Sequence, residues 1–555
     1  MDTAPTPRTS PPDIDFLGSS PEGKKYHRWP AWLLLLVFTL SLGIISILNS
    51  ELSIHDTARV AGIAREMAFT GDYFVPRLNG QNFLEYPSLG YLPIVLFLST
   101  SENPPDFLAI LPIALLGTAT VLLTFLIGRV LADERTGLTA GFILATMSGF
   151  FILHRRCLVD PTLLFFTVLS LYGFAAGYQT PTRRFRFFAM FYLAMAGGFL
   201  SKGLIGIAIP AGTVLIFLIV RRDFGAIRRL YLGRGILLFL LPIALWAAGV
   251  WRLGGPNLIN EVVRQSLWRF FSSSAHHSDS FYYYFIPVLL NTLPWTPLPL
   301  VWLWYRRRHS RPEKSSSPDL LSLFGLVWFL TVFVGLSMAS AKRNLYSAPL
   351  YPPSALMAAV AWTRLRQKLP NVHPVRNSSP GDSKPSIAST PAGIVPEPNP
   401  PAGGTAEQRG FISNGVKRIE AYGMILLFFV YVGVHFAILL PSEKKDSFRP
   451  VFEVIRNQQV HGPVYLCGGS ESLQGAAVFY LGKIIPMRSR TDLMQEGFEA
   501  PSGTILVIPF ISGDEQLLAG LSAKGFHLVT EKTVRKIMLR VYSNSPFYNP
   551  PLIPP

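Results

Sequence analysis

The feature that most constrains this chain is the recurrence of apolar runs close to the ~20 residues that a helix needs to cross a bilayer. "AWLLLLVFTLSLGIISIL" starts at Ala31, "FLAILPIALLGTATVLLTFLIG" at Phe107 and "LLSLFGLVWFLTVFVGLSM" at Leu320. In lipid, a backbone must satisfy its own N–H and C=O groups, so such runs are helices. The 555 residues are 49% hydrophobic and 15% charged, below the roughly 25% charge of soluble domains. The fold class is a polytopic α-helical membrane protein.

A net charge of +17 raises nucleic acid as a partner, but the placement of the charge excludes it. Arg and Lys sit in short loops between apolar runs, as in "RRDFGAIRRLYLGR" from Arg221 and "RRRHSRPEK" from Arg306. Short basic loops mark the cytoplasmic side, whereas a nucleic-acid footprint forms a stripe on a soluble domain.

Sidedness turns on one short run, "SLGYLPIVLFLST" at 88–100. If it spanned, the basic loops at 221–234, 306–314 and 363–368 would lie outside, against the charge rule. Kept on the outer side, it leaves about eleven spans, at 30–48, 107–131, 138–153, 161–179, 187–201, 204–220, 235–253, 284–304, 319–339, 345–362 and 421–440. The polar connections 49–106, 154–160, 201–203, 254–283 and 341–344 then lie outside, and the N-terminus lies inside. The first run has no small-residue cleavage site and reads as a retained span.

The expected domains are a disordered cytoplasmic tail (1–28), a membrane domain (29–365) with its first outer loop at 49–106, and a Pro/Ser/Gly-rich cytoplasmic linker (366–418). A last membrane helix (419–440) leads to an outer-face α/β domain (441–555), where strand-like "PVYLCGG", "TILVIPF" and "VRKIMLRVYS" alternate with helix-like segments. "CGGSES" lacks the full glycine fingerprint of an anion-binding turn and reads as an ordinary strand-to-helix turn. With only Cys157 and Cys467, neither a disulfide framework nor a thiolate metal site is expected.

Ionisable residues that sidedness does not explain gather at the outer face. Asp56 follows the first span, with Arg59 three residues on, where a helix makes them neighbours. Asp160 precedes Pro161 at a helix start, a position also suited to a helix cap. Cations collect there as well: Arg59, Arg155, Arg156, Lys202, Arg264, Arg269, Lys342 and Arg343. Phosphate is their natural partner. Glu85, His276 and His277 suit a divalent ion such as zinc, manganese or magnesium. Acids, cations and phosphate at an outer membrane surface point to group transfer from a polyprenyl phosphate carrier, with an acid as general base and cations or a metal on the departing phosphate. No nucleotide is called for.

On these residues the chain resembles the GT-C superfamily of membrane glycosyltransferases, in the bacterial branch related to aminoarabinose transferase and protein O-mannosyltransferases. The resemblance is carried by "HDTARVAGIAREMAFTGDYFVPRLNGQNFLEYP", "RRCLVDPTLLFF", "FLSKGLIGIAIP", "SFYYYFIPVLLNTLPW" and "SAKRNLYSAPLYPPSAL", in the family's order. It implies a GT-C fold of about 11–13 membrane helices, with Asp56 as the catalytic acid/base and Asp160 as the second-loop acid. It places Arg59, Lys202, Lys342, Arg343 and Tyr346 at the donor phosphate. Arg269 joins that set as an outer-face cation, and Glu85 with His276 or His277 is the implied metal position. The chain departs from the family pattern at Thr57, Val60, Tyr86 and Ser88, and Tyr86 stands where the family has a phosphate-contacting Lys.

The implied activity is transfer of a hexose or pentose from a polyprenyl-phosphate donor to lipid A, another glycolipid, a polysaccharide or a protein, at the outer face of the cytoplasmic membrane. A flippase of lipid-linked sugars is the alternative, but it would place charges deep in the spans. A non-catalytic scaffold acting through 441–555 is the other.

Overall fold

The computed structural model describes residues 30–53, 56–271, 280–309, 320–339, 342–368, 422–457, 462–495, 500–511, 513–535 and 537–545. The tail at 1–28 and the linker at 366–418 fall almost wholly outside these. Among the described residues five helices are long and apolar enough to cross a membrane, by length and composition: Asp106–Leu131, Asp160–Gln179, Leu232–Gln265, Leu320–Met338 and Tyr422–Lys445. Shorter apolar helices run at Ala31–Ile47 and Ile205–Arg221.

Two stretches expected as single spans are each broken in two. The run at 138–153 becomes Glu134–Ala145 and Ser148–Leu153, and the run at 284–304 becomes Phe285–Asn291 and Pro297–His309. Proline explains the second break, because Pro294 and Pro297 have no N–H to continue a helix. The two breaks face each other. The Ser148 amide donates to the Leu293 carbonyl at 2.9 Å, the Ser148 hydroxyl to the Leu290 carbonyl at 2.8 Å, and the Trp295 indole N–H to Thr146 Oγ1 at 2.9 Å. Each interruption thus supplies partners for backbone groups that the other leaves open, the condition for irregular backbone within a membrane.

The segment at 88–100 folds as a 3-10 turn, Ser88–Gly90, and a seven-residue helix, Leu92–Leu98. At 1.5 Å per residue that helix is about 10 Å long, far short of a ~30 Å hydrocarbon core. The turn before it packs instead on the ends of two longer helices: Thr162 Oγ1 donates to the Gly90 carbonyl, and a Cβ on Gly90 would lie 2.8 Å from the Ser201 carbonyl oxygen. The helix Arg184–Lys202 has Arg184 and Arg186 at one end and Lys202 at the other. Gly203 then turns the chain at φ +74° into Ile205–Arg221, which returns to the arginine-rich end. One end of the bundle is therefore basic, and the opposite end carries Asp160, Lys202 and the first loop.

Beyond the last span lies a four-stranded sheet in the spatial order Val464–Leu466, Ile505–Phe510, Ile537–Ser543, His527–Val534, with the first pair parallel and the others antiparallel. Strand alternation sends Ile505, Val507, Leu539 and Val541 into one core and Leu506, Ile508 and Tyr542 into another. The first of these cores is continuous with the first loop, where Ala58, Ala61, Ile63 and Met67 meet Phe452 and Phe479. Asn79 seals the contact with reciprocal bonds to the Ile485 backbone, at 2.8 and 2.7 Å. Strand His527–Val534 is absent from the sequence reading because Glu531 and Lys532 interrupt its apolar pattern.

Candidate functional site

Asp56 opens the helix Asp56–Thr70 in the first loop. Its Oδ1 accepts from Arg59 Nη2 at 2.6 Å, one helical turn on, and its Oδ2 faces Arg343 Nη1 at 3.3 Å. Arg343 belongs to a distant connection, just before the 3-10 helix Asn344–Leu350. The two guanidiniums are held differently. Arg59 is enclosed, stacked over the Phe83 ring and paired through Nη1 with Glu471 at 2.5 Å. Arg343 has half of its side chain exposed. Burial alone would lower the pKa of Arg59, but Asp56, Glu471 and Glu85 raise it overall, so it is a fixed cation. Arg343 is raised as well: burial opposes, and Asp56 and Tyr346 outweigh it.

Asp160 heads the helix Asp160–Gln179, whose first turn Pro161 suits through its fixed φ. Its carboxylate accepts from Lys202 Nζ at 2.5 Å, both side chains being about nine-tenths buried. The ammonium also lies over two aromatic faces, Tyr346 at 4.8 Å and Tyr86 at 5.4 Å from the ring centroids. Tyr346 joins the two corners, since its ring covers Lys202 while its hydroxyl lies near enough to act on the charge of Arg343.

Four outer connections that are distant in sequence thus meet at one end of the bundle, and they bring Asp56, Arg59, Asp160, Lys202, Arg343 and Tyr346 together. Glu85 is near enough for its charge to act on Arg59. Lys342, half-buried, adjoins Arg343. Arg269 lies in the helical run Leu232–Phe271, beyond its kink at Gly255, but its side chain, like His276 and His277, falls outside the described residues. Among the described residues no three His, Cys, Asp or Glu side chains cluster as a metal site.

Two participants escaped the sequence reading. Tyr86 registered as the loss of a lysine, whereas it is one wall of the Lys202 cage. Glu471 lay in the "CGGSES" turn, which has the ordinary form expected: the Ser470 side chain caps the helix Glu471–Leu481. Nothing local to that turn signals that Glu471 reaches a residue 412 positions away.

This is a polytopic membrane protein of the GT-C fold. Within that class it resembles the aminoarabinose transferases. Residues 87–246 match the family model described as dolichyl-phosphate-mannose-protein mannosyltransferase. The chain is 26% identical over 341 residues to undecaprenyl phosphate-alpha-4-amino-4-deoxy-L-arabinose arabinosyl transferase 1 of Proteus mirabilis, covering 59% of this chain and 58% of that one. It is 28% identical over 354 residues to the corresponding transferase of Pseudomonas paraeruginosa, covering 61% of each. The chain thus spans about three-fifths of the length of these curated relatives. The crystal structure of ArnT from Cupriavidus metallidurans bound to undecaprenyl phosphate superposes with a TM-score of 0.67 at 21% identity, over 93% of this chain and 98% of that one.

Proposed function

We infer that this protein is a membrane glycosyltransferase that moves a sugar from a polyprenyl-phosphate donor to an acceptor at the outer face of the cytoplasmic membrane. The N-terminus then lies inside and the C-terminal domain outside. The observation that carries this reading is the pairing of each acid with cations at one end of a GT-C bundle. An oxygen of the acceptor attacks the anomeric carbon, and the bond from that carbon to the phosphate oxygen breaks. The proton of the acceptor passes to Asp56, and the polyprenyl phosphate leaves with the bonding electrons. Arg343, Lys342 and Tyr346 face the departing phosphate, where charge builds in the transition state. Lys202 holds Asp160 in place to orient the acceptor, and Arg269 is a further candidate for the donor phosphate.

A divalent ion held by Glu85 with His276 or His277 would supply further stabilisation of the leaving phosphate, and activity lost to a chelator and restored by one metal tests it. A pentose donor is the specific form that the aminoarabinose transferase relatives favour, and lipid A is one acceptor to test. The direct experiment incubates the purified chain with radiolabelled polyprenyl-phosphate sugars and candidate acceptors, wild type beside Asp56→Asn. Transfer by the wild type alone supports the reading. Intact donors under every acceptor, with movement of the lipid across proteoliposomes, would replace it with a flippase.

A further inference from the structure

The C-terminal domain reaches into the site through one side chain. The guanidinium of Arg59 is shared between two carboxylates from different parts of the chain: Nη2 meets Asp56 at 2.6 Å and Nη1 meets Glu471 at 2.5 Å. Phe83 covers the guanidinium plane. Glu471 cannot drift relative to Asp56, because its helix crosses Asp56–Thr70 at a glycine contact. A Cβ on Gly62 would lie 2.4 Å from the Gly475 backbone, and one on Gly475 would lie 2.5 Å from the Ala58 carbonyl and 2.6 Å from Arg59 Cα. Tyr480, on the same helix, donates to Asp106 at 2.7 Å, and Asp106 also accepts from the Leu52 amide at 2.9 Å. Both flanks of the first loop are thereby tied to this one helix.

Glu471 itself is half-exposed, and an ion pair of that kind adds little to stability. A close, two-sided hold on a residue beside the acid is better explained by orientation. A guanidinium offers a fixed fork of donors. With Nη1 engaged by Glu471, only Nη2 meets Asp56, and the second oxygen of that carboxylate is left to the half-exposed Arg343. Without Glu471, the fork is free to close on both oxygens of Asp56 and occupy the atom that must take the proton.

We propose that Glu471 is a positioning residue for the transfer reaction: it clamps Arg59 onto one oxygen of Asp56 so that the other stays on the half-exposed Arg343 side, where the acceptor can reach it, which makes the C-terminal domain part of the catalytic unit. This rests on the transferase reading for its kinetic consequence and on geometry alone for the clamp, so the two are tested separately. The clamp is read by phenylglyoxal labelling of Arg59 and Arg343, followed by peptide mass spectrometry, in the full-length chain and in Glu471→Gln. Loss of the clamp closes Arg59 on both oxygens of Asp56 and releases Arg343, so Arg343 labelling rises about 3-fold or more while Arg59 stays protected; equal labelling of Arg343 in the two proteins overturns the proposal.

The kinetic arm measures kcat and donor KM. Glu471→Gln lowers kcat about tenfold, the scale of a misoriented acid/base group, and leaves donor KM within about twofold. Glu531→Gln, which removes the exposed partner of Arg540 on the same domain, changes neither. Raised labelling with unaltered kcat reduces the clamp to a structural contact and overturns the positioning role. A fall in kcat that merely tracks a lowered melting temperature does the same. Absence of transfer in the wild type defeats the transferase reading, while the labelling result still decides the clamp.

Discussion

Asp56 and Asp160 are both carboxylates paired with a cation at the same end of the bundle, yet they are built for different work. Asp160 and Lys202 form a sealed pair, with side chains 10% and 9% exposed and two tyrosine rings over the ammonium. Asp56 is 20% exposed and divides its two oxygens between a clamped arginine and a half-exposed one. A group that must gain and lose a proton needs an approach for its substrate. A group that sets geometry needs to stay where it is. The contrast supports the proposed division, with the chemistry at Asp56 and the scaffold of the site at Asp160.

The largest expected effect tests the first half of that assignment. Asp56→Asn removes the proton acceptor but leaves Arg59 paired with Glu471, so the chain still folds. Loss of a general base costs about 10²–10⁴ in rate, and transfer of label from the donor should fall by that factor with expression and melting temperature unchanged. Near-wild-type transfer would move the base elsewhere.

Lys202→Met tests the second half, and its signature is instability. It strands a buried carboxylate, at a cost of about 3–5 kcal/mol, and thermal unfolding in detergent should drop steeply. Asp160→Asn should destabilise by stranding the ammonium. The double variant should recover much of the loss, since neutral groups of similar size do not carry the unpaired-charge penalty. A double variant no better than either single one would mean that the pair is not energetically coupled. Arg343→Gln sits between the two corners. It removes an exposed cation expected at the phosphate, so donor KM should rise about tenfold, roughly 1.4 kcal/mol, with a smaller change in kcat; an unchanged KM would take Arg343 out of the donor site.

Much of this was legible in the sequence, because membrane spans and first-loop acids leave local signals. Apolar run length revealed the bundle, and loop charge kept 88–100 on one side, where its seven-residue helix indeed leaves both ends. The i, i+3 relation of Asp56 and Arg59 is a property of helix geometry and was available at once. The broken spans were not, because the two interruptions are stable only through bonds to each other, between residues 148 and 293. Glu471 was hidden for the same reason: its partner is set by the packing of Gly62 on Gly475, a contact with no periodic trace in either segment. The cage around Lys202 was half visible, since Lys202 and Tyr346 were singled out as phosphate contacts while the lysine's pairing with Asp160 was not foreseen.

The smallest effect concerns Tyr86, and it sharpens what kind of corner Asp160 occupies. A lysine at this position would bring a second ammonium to Lys202, whereas a tyrosine offers its negative ring face, 5.4 Å from Nζ. That contact is worth about 0.5–2 kcal/mol. If the ring face is what matters, Tyr86→Phe should retain most of the stability, and Tyr86→Ala should lose about 1 kcal/mol beyond it, read as a difference in denaturant or thermal midpoint. The Ala variant should also let water reach the Asp160–Lys202 pair, lowering the penalty for Lys202→Met when the two changes are combined. Additive losses in that combination would show that Tyr86 packs beside the pair without shielding it, and the sealed corner would then depend on Tyr346 and the helix ends.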